Sequence, residues 1–291
     1  MRIRIVAVAL ASMLASIFST PAAAFFFWCP SIFAPLTTEV KNVLVRPGVN
    51  VRYLAIHRTG STPENAVILF AGGDGLLSLS SSGAIGTGLA LNFLVRSREK
   101  FACAGLYTVV VDTPGAVAIN GNIRLSEQYA QDMAKVIARV REDPPLRRIW
   151  LVGTSSGTLS AAGIAARRPL IPLHPPSKIN YGRPEGIVLT STQSTLVSGL
   201  CGRTVFDATL SRVNVPAYVV AHQDDGCACS PAAAVPSVLA ALTRSPVKEN
   251  IEFVGGSPPI STDPCQAQTP HGYLGIENSV VNNIASWIKT H

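Results

Sequence analysis

Apolar and polar positions along the chain follow two periods that take turns. From Glu39 to Val45 and from Val51 to Ile56 they alternate residue by residue on either side of Arg46-Pro47-Gly48. That is the pattern of strands with one covered face, and the turn residues between them predict an antiparallel hairpin at a sheet edge. Ala66 to Phe70 reads AVILF, apolar throughout, which predicts a strand covered on both faces. Tyr107 to Val111, Gly186 to Leu189, Ala217 to Val220 and Ile251 to Val254 are further short runs of strand length. Between them lie stretches of helical period. One is expected near Ile85 to Arg98. A second follows Ser126, a good N-cap before EQYAQDMAKVIARVRE, and stops at Asp143-Pro144-Pro145. The last is Ile276 to Lys289. Strands alternating with helices predict an α/β chain with a mostly parallel central sheet and helices on both faces. Pro169 to Pro184 is proline-rich and reads as a connector. With no internal repeat and no linker, residues 25–291 read as one domain.

The first 24 residues belong to a different class. Arg2 and Arg4 precede an apolar run from Ile5 to Phe18, and Pro21-Ala22-Ala23-Ala24 follows. This is the order of a secretory signal peptide, with cleavage expected after Ala24 and export to the periplasm or medium. The competing reading, an uncleaved anchor, is disfavoured because the run falls short of the roughly 20 residues a spanning helix needs. No stable membrane anchor is expected after cleavage. Losing Arg2 and Arg4 lowers the formal charge from +7 to +5. The remaining basic residues are scattered, which argues against a nucleic-acid partner.

The chemistry concentrates in Ile149 to Arg168, IWLVGTSSGTLSAAGIAARR. An apolar strand runs into Gly153-Thr154-Ser155-Ser156-Gly157 and out into a helix of small residues. Five small residues could form an ordinary strand-to-helix turn. The G-x-S-x-G spacing between a strand and a helix is, however, what a nucleophile elbow requires, and Ser155 is its serine. The acid is sought after the late strand Ala217 to Val220, where the chain reads His222-Gln223-Asp224-Asp225-Gly226-Cys227. The base is sought later still, and His271 in Thr269-Pro270-His271-Gly272-Tyr273 stands just before the closing helix.

With Ser155, the Asp224-Asp225 pair and His271 in that order, the chain resembles the α/β-hydrolase superfamily over essentially its whole mature length. The resemblance implies an eight-stranded, mostly parallel sheet with a Ser-His-Asp triad at the carboxyl ends of its strands. In that superfamily the acid usually stands three residues after a glycine at the strand end. His222 takes that place here, which favours Asp225 and keeps Asp224 open. The resemblance also implies that the oxyanion is held by backbone N–H groups of Ser156 and of Gly73, from the loop after AVILF. Ala71 replaces the histidine of the usual H-G pair in that loop. The activity implied is hydrolysis of a small-molecule carboxylic ester, thioester or lactone through an acyl-enzyme, with no cofactor. A peptidase on the same scaffold and a catalytically silent exported binding protein are the alternatives. No long helical insertion stands between Gly186 and Ala217, so little or no cap domain is expected.

All six cysteines lie beyond Ala24, and in an exported chain they suggest disulfides. Cys265 precedes His271 by six residues, while Cys227 and Cys229 follow Asp225 closely. A disulfide from Cys265 to Cys227 or Cys229 would tie the acid loop to the base loop, with Cys227 the favoured partner. Zinc on Cys227, Cys229 and His222 is the competing reading, and its C-x-C spacing is unusual for a structural site, so no metal is assigned. His57, His174 and His222 have no partner identifiable from sequence and read as surface or satisfied histidines.

Overall fold

The computed structural model describes residues 35–143, 148–167 and 182–291. The signal-peptide segment and most of the proline-rich connector, His174 included, lie outside them. Eight strands form one sheet: β1 (Leu36–Arg46), β2 (Val49–Arg58), β3 (Asn65–Phe70), β4 (Tyr107–Val111), β5 (Arg148–Ser155), β6 (Gly186–Thr192), β7 (Ala217–His222) and β8 (Lys248–Phe253). Their spatial order is β1-β2-β4-β3-β5-β6-β7-β8. β1 and β2 form the expected edge hairpin, and β2 meets β4 antiparallel. Every other pairing is parallel. A parallel neighbour requires a crossover, so the chain returns over one face or the other between strands.

The connections between strands carry α1 (Phe93–Arg96), α2 (Arg98–Cys103), α3 (Gly121–Arg124), α4 (Glu127–Glu142), α5 (Gly157–Ala166) and α6 (Val235–Ala241), and α7 (Glu277–Thr290) follows the last strand. β3 shows how the sheet is buried on both sides. Its Ala66, Ile68 and Phe70 join a core with Met133, Ile137 and Ile164 from α4 and α5. Val67 and Leu69 join a second core with Phe93, Phe101, Val280 and Ile284 from α1, α2 and α7. Gly186 opens space in the second layer, since a Cβ there would lie 2.0 Å from the Trp150 ring. Trp150 in turn meets Trp287 of α7 edge-on at 5.4 Å.

The sequence expectation fails most clearly over Ile85 to Arg98. Helix begins only at Phe93, where the Asn92 side chain accepts the N–H of Leu94. Gly86 and Gly88 weaken helix propensity over the preceding stretch. Gly86 is also pressed against Ser78, where a Cβ would come within 2.9 Å, so the segment folds back as a loop on Leu77 and Ser78. α4 follows the prediction, with Ser126 Oγ accepting the N–H of Tyr129. Between β6 and β7 the described residues hold only 3₁₀ turns, at Val205–Ala208 and Leu210–Arg212, so no helical cap stands over the sheet there. Among the described residues, no helix is long and apolar enough to cross a membrane.

Candidate active site

The elbow is built by a collision of backbones that only glycine permits. A Cβ on Gly153 would lie 2.3 Å from the Gly157 carbonyl oxygen, and one on Gly157 would lie 2.2 Å from that of Phe70. The turn therefore closes tightly on itself and crosses directly against the end of β3. Between the two glycines, Ser155 has φ 53°, a left-handed conformation disfavoured for a residue with a Cβ. Such strain at a strand-to-helix turn is what holds a nucleophile clear of the sheet.

Asp225 and His271 meet at the carboxyl end of the same sheet. His271 Nδ1 lies 2.9 Å from Asp225 Oδ2 and 3.2 Å from Oδ1, and both side chains are buried. Asp225 Oδ1 also accepts the N–H of Cys227 at 2.9 Å. Of the two adjacent aspartates, Asp225 is the one on His271, while Asp224 is exposed. With Nδ1–H given to the carboxylate, Nε2 is left as the basic nitrogen. The described hydrogen bonds include none from Ser155 Oγ, in keeping with the loose nucleophile–base contacts usual before substrate binds.

The histidine loop is pinned by residues that the sequence did not single out. Ser191, near the end of β6, gives its hydroxyl to the His271 carbonyl at 2.8 Å. Its neighbour Thr192 pairs with Ser155 across the β5–β6 register, so one strand end links the His271 loop to the Ser155 elbow. The Tyr273 hydroxyl accepts the Ser191 N–H at 3.0 Å and donates to the Val220 carbonyl at 2.9 Å. Burial, helped by the charge on Asp225, pushes this phenol far above its ordinary range, so it stays protonated as a donor. Gly272 must be glycine, because a Cβ would lie 1.9 Å from the Ala267 carbonyl oxygen.

His222, in the place of the usual strand-end glycine, is buried and satisfied. Its Nδ1 accepts the Asp224 N–H at 3.0 Å, and its Nε2 donates to the Gly255 carbonyl at 2.8 Å. The ring thereby joins the acid loop to the segment after β8. His57 Nδ1 lies 3.0 Å from the Arg58 carbonyl oxygen, and the ring stacks on Tyr107.

The glycine loop after β3 lies against the elbow. A Cβ on Gly72 would come within 3.0 Å of Ser155 Cβ, and Ser156 Oγ donates to the Gly73 carbonyl at 2.7 Å. Gly73 itself has φ 58°. Its N–H and that of Ser156 make no backbone hydrogen bond among the described residues.

Four of the cysteines, Cys201, Cys227, Cys229 and Cys265, cluster together beside the Asp225 loop. Cys227 is bonded to Cys265, with Cα atoms 4.5 Å apart, and Cys201 is bonded to Cys229. The Cys227–Cys265 tie joins the Asp225 loop to the His271 loop, and Cys227 and Cys229 are both engaged in disulfides. A cavity of about 350 Å³ lies elsewhere, lined by Arg167, Arg183, Arg212 and Arg244 among others, and none of the site residues borders it.

The strand order, with its antiparallel edge and the elbow leaving the fifth strand, is that of the α/β-hydrolase fold, and this chain has it. A cold-adapted esterase from an Arctic intertidal metagenomic library is similar in structure, with a TM-score of 0.55 and 12% identity over 86% of this chain and 94% of that one. Est1E from Butyrivibrio proteoclasticus gives a TM-score of 0.54 and 13% identity, covering 87% and 98%. Dienelactone hydrolase from Anabaena variabilis gives 0.56 and 16%, covering 88% and 98%. No protein-family model matches the chain, and no curated protein matches it.

Proposed function

We propose that the protein is an exported serine hydrolase of small carboxylic esters, thioesters or lactones. The observation that carries this reading is the buried Asp225–His271 pair, 2.9 Å apart, at the same carboxyl end of the sheet as a serine strained to φ 53° on its elbow. Ser155 Oγ attacks the acyl carbon while His271 Nε2 takes its proton. Asp225 holds the imidazole in that tautomer and stabilises the imidazolium. The developing oxyanion is received by the N–H groups of Gly73 and Ser156, worth roughly 3 to 4 kcal/mol per donor in comparable sites. His271 returns the proton to the leaving oxygen or sulfur, and water, activated by the same histidine, then releases the acyl group. The esterase and lactone-hydrolase neighbours agree with this substrate class. The absence of an α-helix between β6 and β7 among the described residues favours an accessible site.

The test is hydrolysis of p-nitrophenyl acetate by the mature protein together with labelling by a fluorophosphonate. Ser155→Ala is expected to cost on the order of 10⁴ to 10⁶ in rate and to remove the adduct, with the fold intact by circular dichroism. Full activity in folded Ser155→Ala protein would sink the assignment.

A further inference from the structure

The Arg124 guanidinium lies beneath the proposed oxyanion loop, and the mechanism above leaves it without a task. It comes from the β4–α4 crossover and is only 2% exposed, yet no carboxylate pairs with it among the described residues. One nitrogen donates to Ser160 Oγ at 2.8 Å. The other donates to two carbonyls of the loop, Ala71 at 3.0 Å and Gly73 at 3.1 Å. Room for the fork is left by Gly75, where a Cβ would lie 2.7 Å from this nitrogen. Ser160 passes the chain of hydrogen bonds to Tyr129 at 3.2 Å.

Asp74, in the same loop, is the carboxylate whose charge acts on Arg124, but the two form no ion pair among the described residues, and a buried cation without a paired counter-charge is costly to keep unless its surroundings use it. Burial draws the guanidinium below its ordinary pKa, but an arginine remains charged in proteins. What surrounds it is the backbone on either side of one peptide. Ala71 O belongs to the peptide before the Gly72–Gly73 unit, and Gly73 O to the one after. Within the unit, Gly72 O turns back to accept the Gly75 N–H at 3.2 Å. In a trans peptide the N–H is opposite its carbonyl, so the Gly73 N–H is directed out of this turn.

From this arrangement we infer that Arg124 is a positioning residue for the oxyanion site. Its fork fixes both carbonyls flanking the Gly72–Gly73 peptide, which holds the Gly73 N–H beside Ser155, and its charge polarises the loop toward a negative oxygen. The inference rests on the proposed serine hydrolase. It goes beyond that reading by making an interior side chain, which touches no substrate, a determinant of transition-state binding.

Arg124→Met keeps the length of the stem and removes both fork and charge, while Arg124→Lys keeps only the charge. On p-nitrophenyl acetate, Arg124→Met should lose about 10²-fold in kcat, in the range of one missing oxyanion donor, with KM within a factor of about two. Arg124→Lys should fall between it and the wild type. Phenylboronic acid, whose boron accepts Ser155 Oγ as His271 takes the proton, mimics the tetrahedral state, and its affinity should fall in parallel with kcat. A role confined to folding would lower Tm while leaving kcat and boronate affinity of the folded variants unchanged, and that result would overturn the inference. Should Arg124→Met not fold, Ser160→Ala removes one anchor of the guanidinium from within α5. It should lower kcat several-fold at constant KM, and an unchanged kcat there would equally overturn the inference. Failure of the wild type to bind the boronate or take a fluorophosphonate on Ser155 would instead strike the hydrolase reading itself.

Discussion

At the scale of single residues, the two adjacent aspartates show how burial divides chemically equal groups. Asp225 lies against His271 with a side chain only 1% exposed, whereas Asp224 is exposed and contributes its backbone N–H to His222. Asp225→Asn would leave the size of the side chain intact and remove the charge that, in the proposed mechanism, orients and stabilises the imidazolium. Its kcat for p-nitrophenyl acetate should fall by roughly 10⁴-fold. Asp224→Asn should stay within a few-fold of wild type. The reverse ranking would place the acid on the other residue. Motif and superfamily register pointed to Asp225 from sequence. Ser191, Tyr273 and Arg124 were not legible there, because hydroxyls and a guanidinium acquire a role only from which carbonyls the fold brings to them.

Among the elements, α4 shows how a helix is locked onto the sheet edge. Asp143, its C-cap, receives Lys41 of β1 at 2.7 Å and Arg139 at 3.0 Å. It also accepts the hydroxyls of Tyr107 at 3.2 Å and Tyr53 at 3.4 Å. Burial alone would raise this carboxyl, but Lys41 and Arg139 outweigh it and hold it below the ordinary range. A depressed carboxylate contributes stability above its unfolded pKa, near 3.9, and loses it as pH falls through the folded value. Asp143→Asn should therefore cost about 2 kcal/mol at neutral pH, the order of a hydrogen bond to a charged group. The gap from wild type, followed by urea unfolding, should narrow below about pH 4. A gap independent of pH would show that the charge of Asp143 contributes nothing. The helix was legible from its N-cap and period, whereas Ile85 to Arg98 was misread because two glycines and a contact with Ser78 outweigh an apolar pattern.

Across the whole molecule, the disulfides decide how loops from distant parts of the chain meet. Cys227–Cys265 closes 38 residues and Cys201–Cys229 closes 28. In the chain-entropy model the longer loop is worth about 4 kcal/mol. Its position suggests a second effect, since it joins the Asp225 loop to the His271 loop, and displacing a reacting group by about 1 Å can cost on the order of a hundredfold. Cys265→Ser, assayed well below its Tm, should lose about ten- to a hundredfold in kcat while circular dichroism reports a folded chain. Non-reducing peptide mapping should recover Cys227 and Cys265 in one cross-linked peptide. A free Cys265 thiol in active protein would end the positional argument.

The sequence by itself determined the strands and the helices α4, α5 and α7, because hydrophobic period and capping are local and a run such as AVILF has few ways to bury itself. It also determined the elbow, since Gly153 and Gly157 stand where any Cβ would strike backbone. The order Ser155, the Asp224-Asp225 pair, His271 could be read from the motifs and their places between the elements. The tertiary structure decided what depends on distance in space: which aspartate meets the histidine, which of two cysteines meets Cys265, and why His222 can stand where a glycine was expected. It also decided that Arg124, in a stretch without any periodic signal, is buried under the glycine loop after β3. Contacts between residues far apart in sequence leave no local trace, because their energy comes from groups that only the folded sheet brings together.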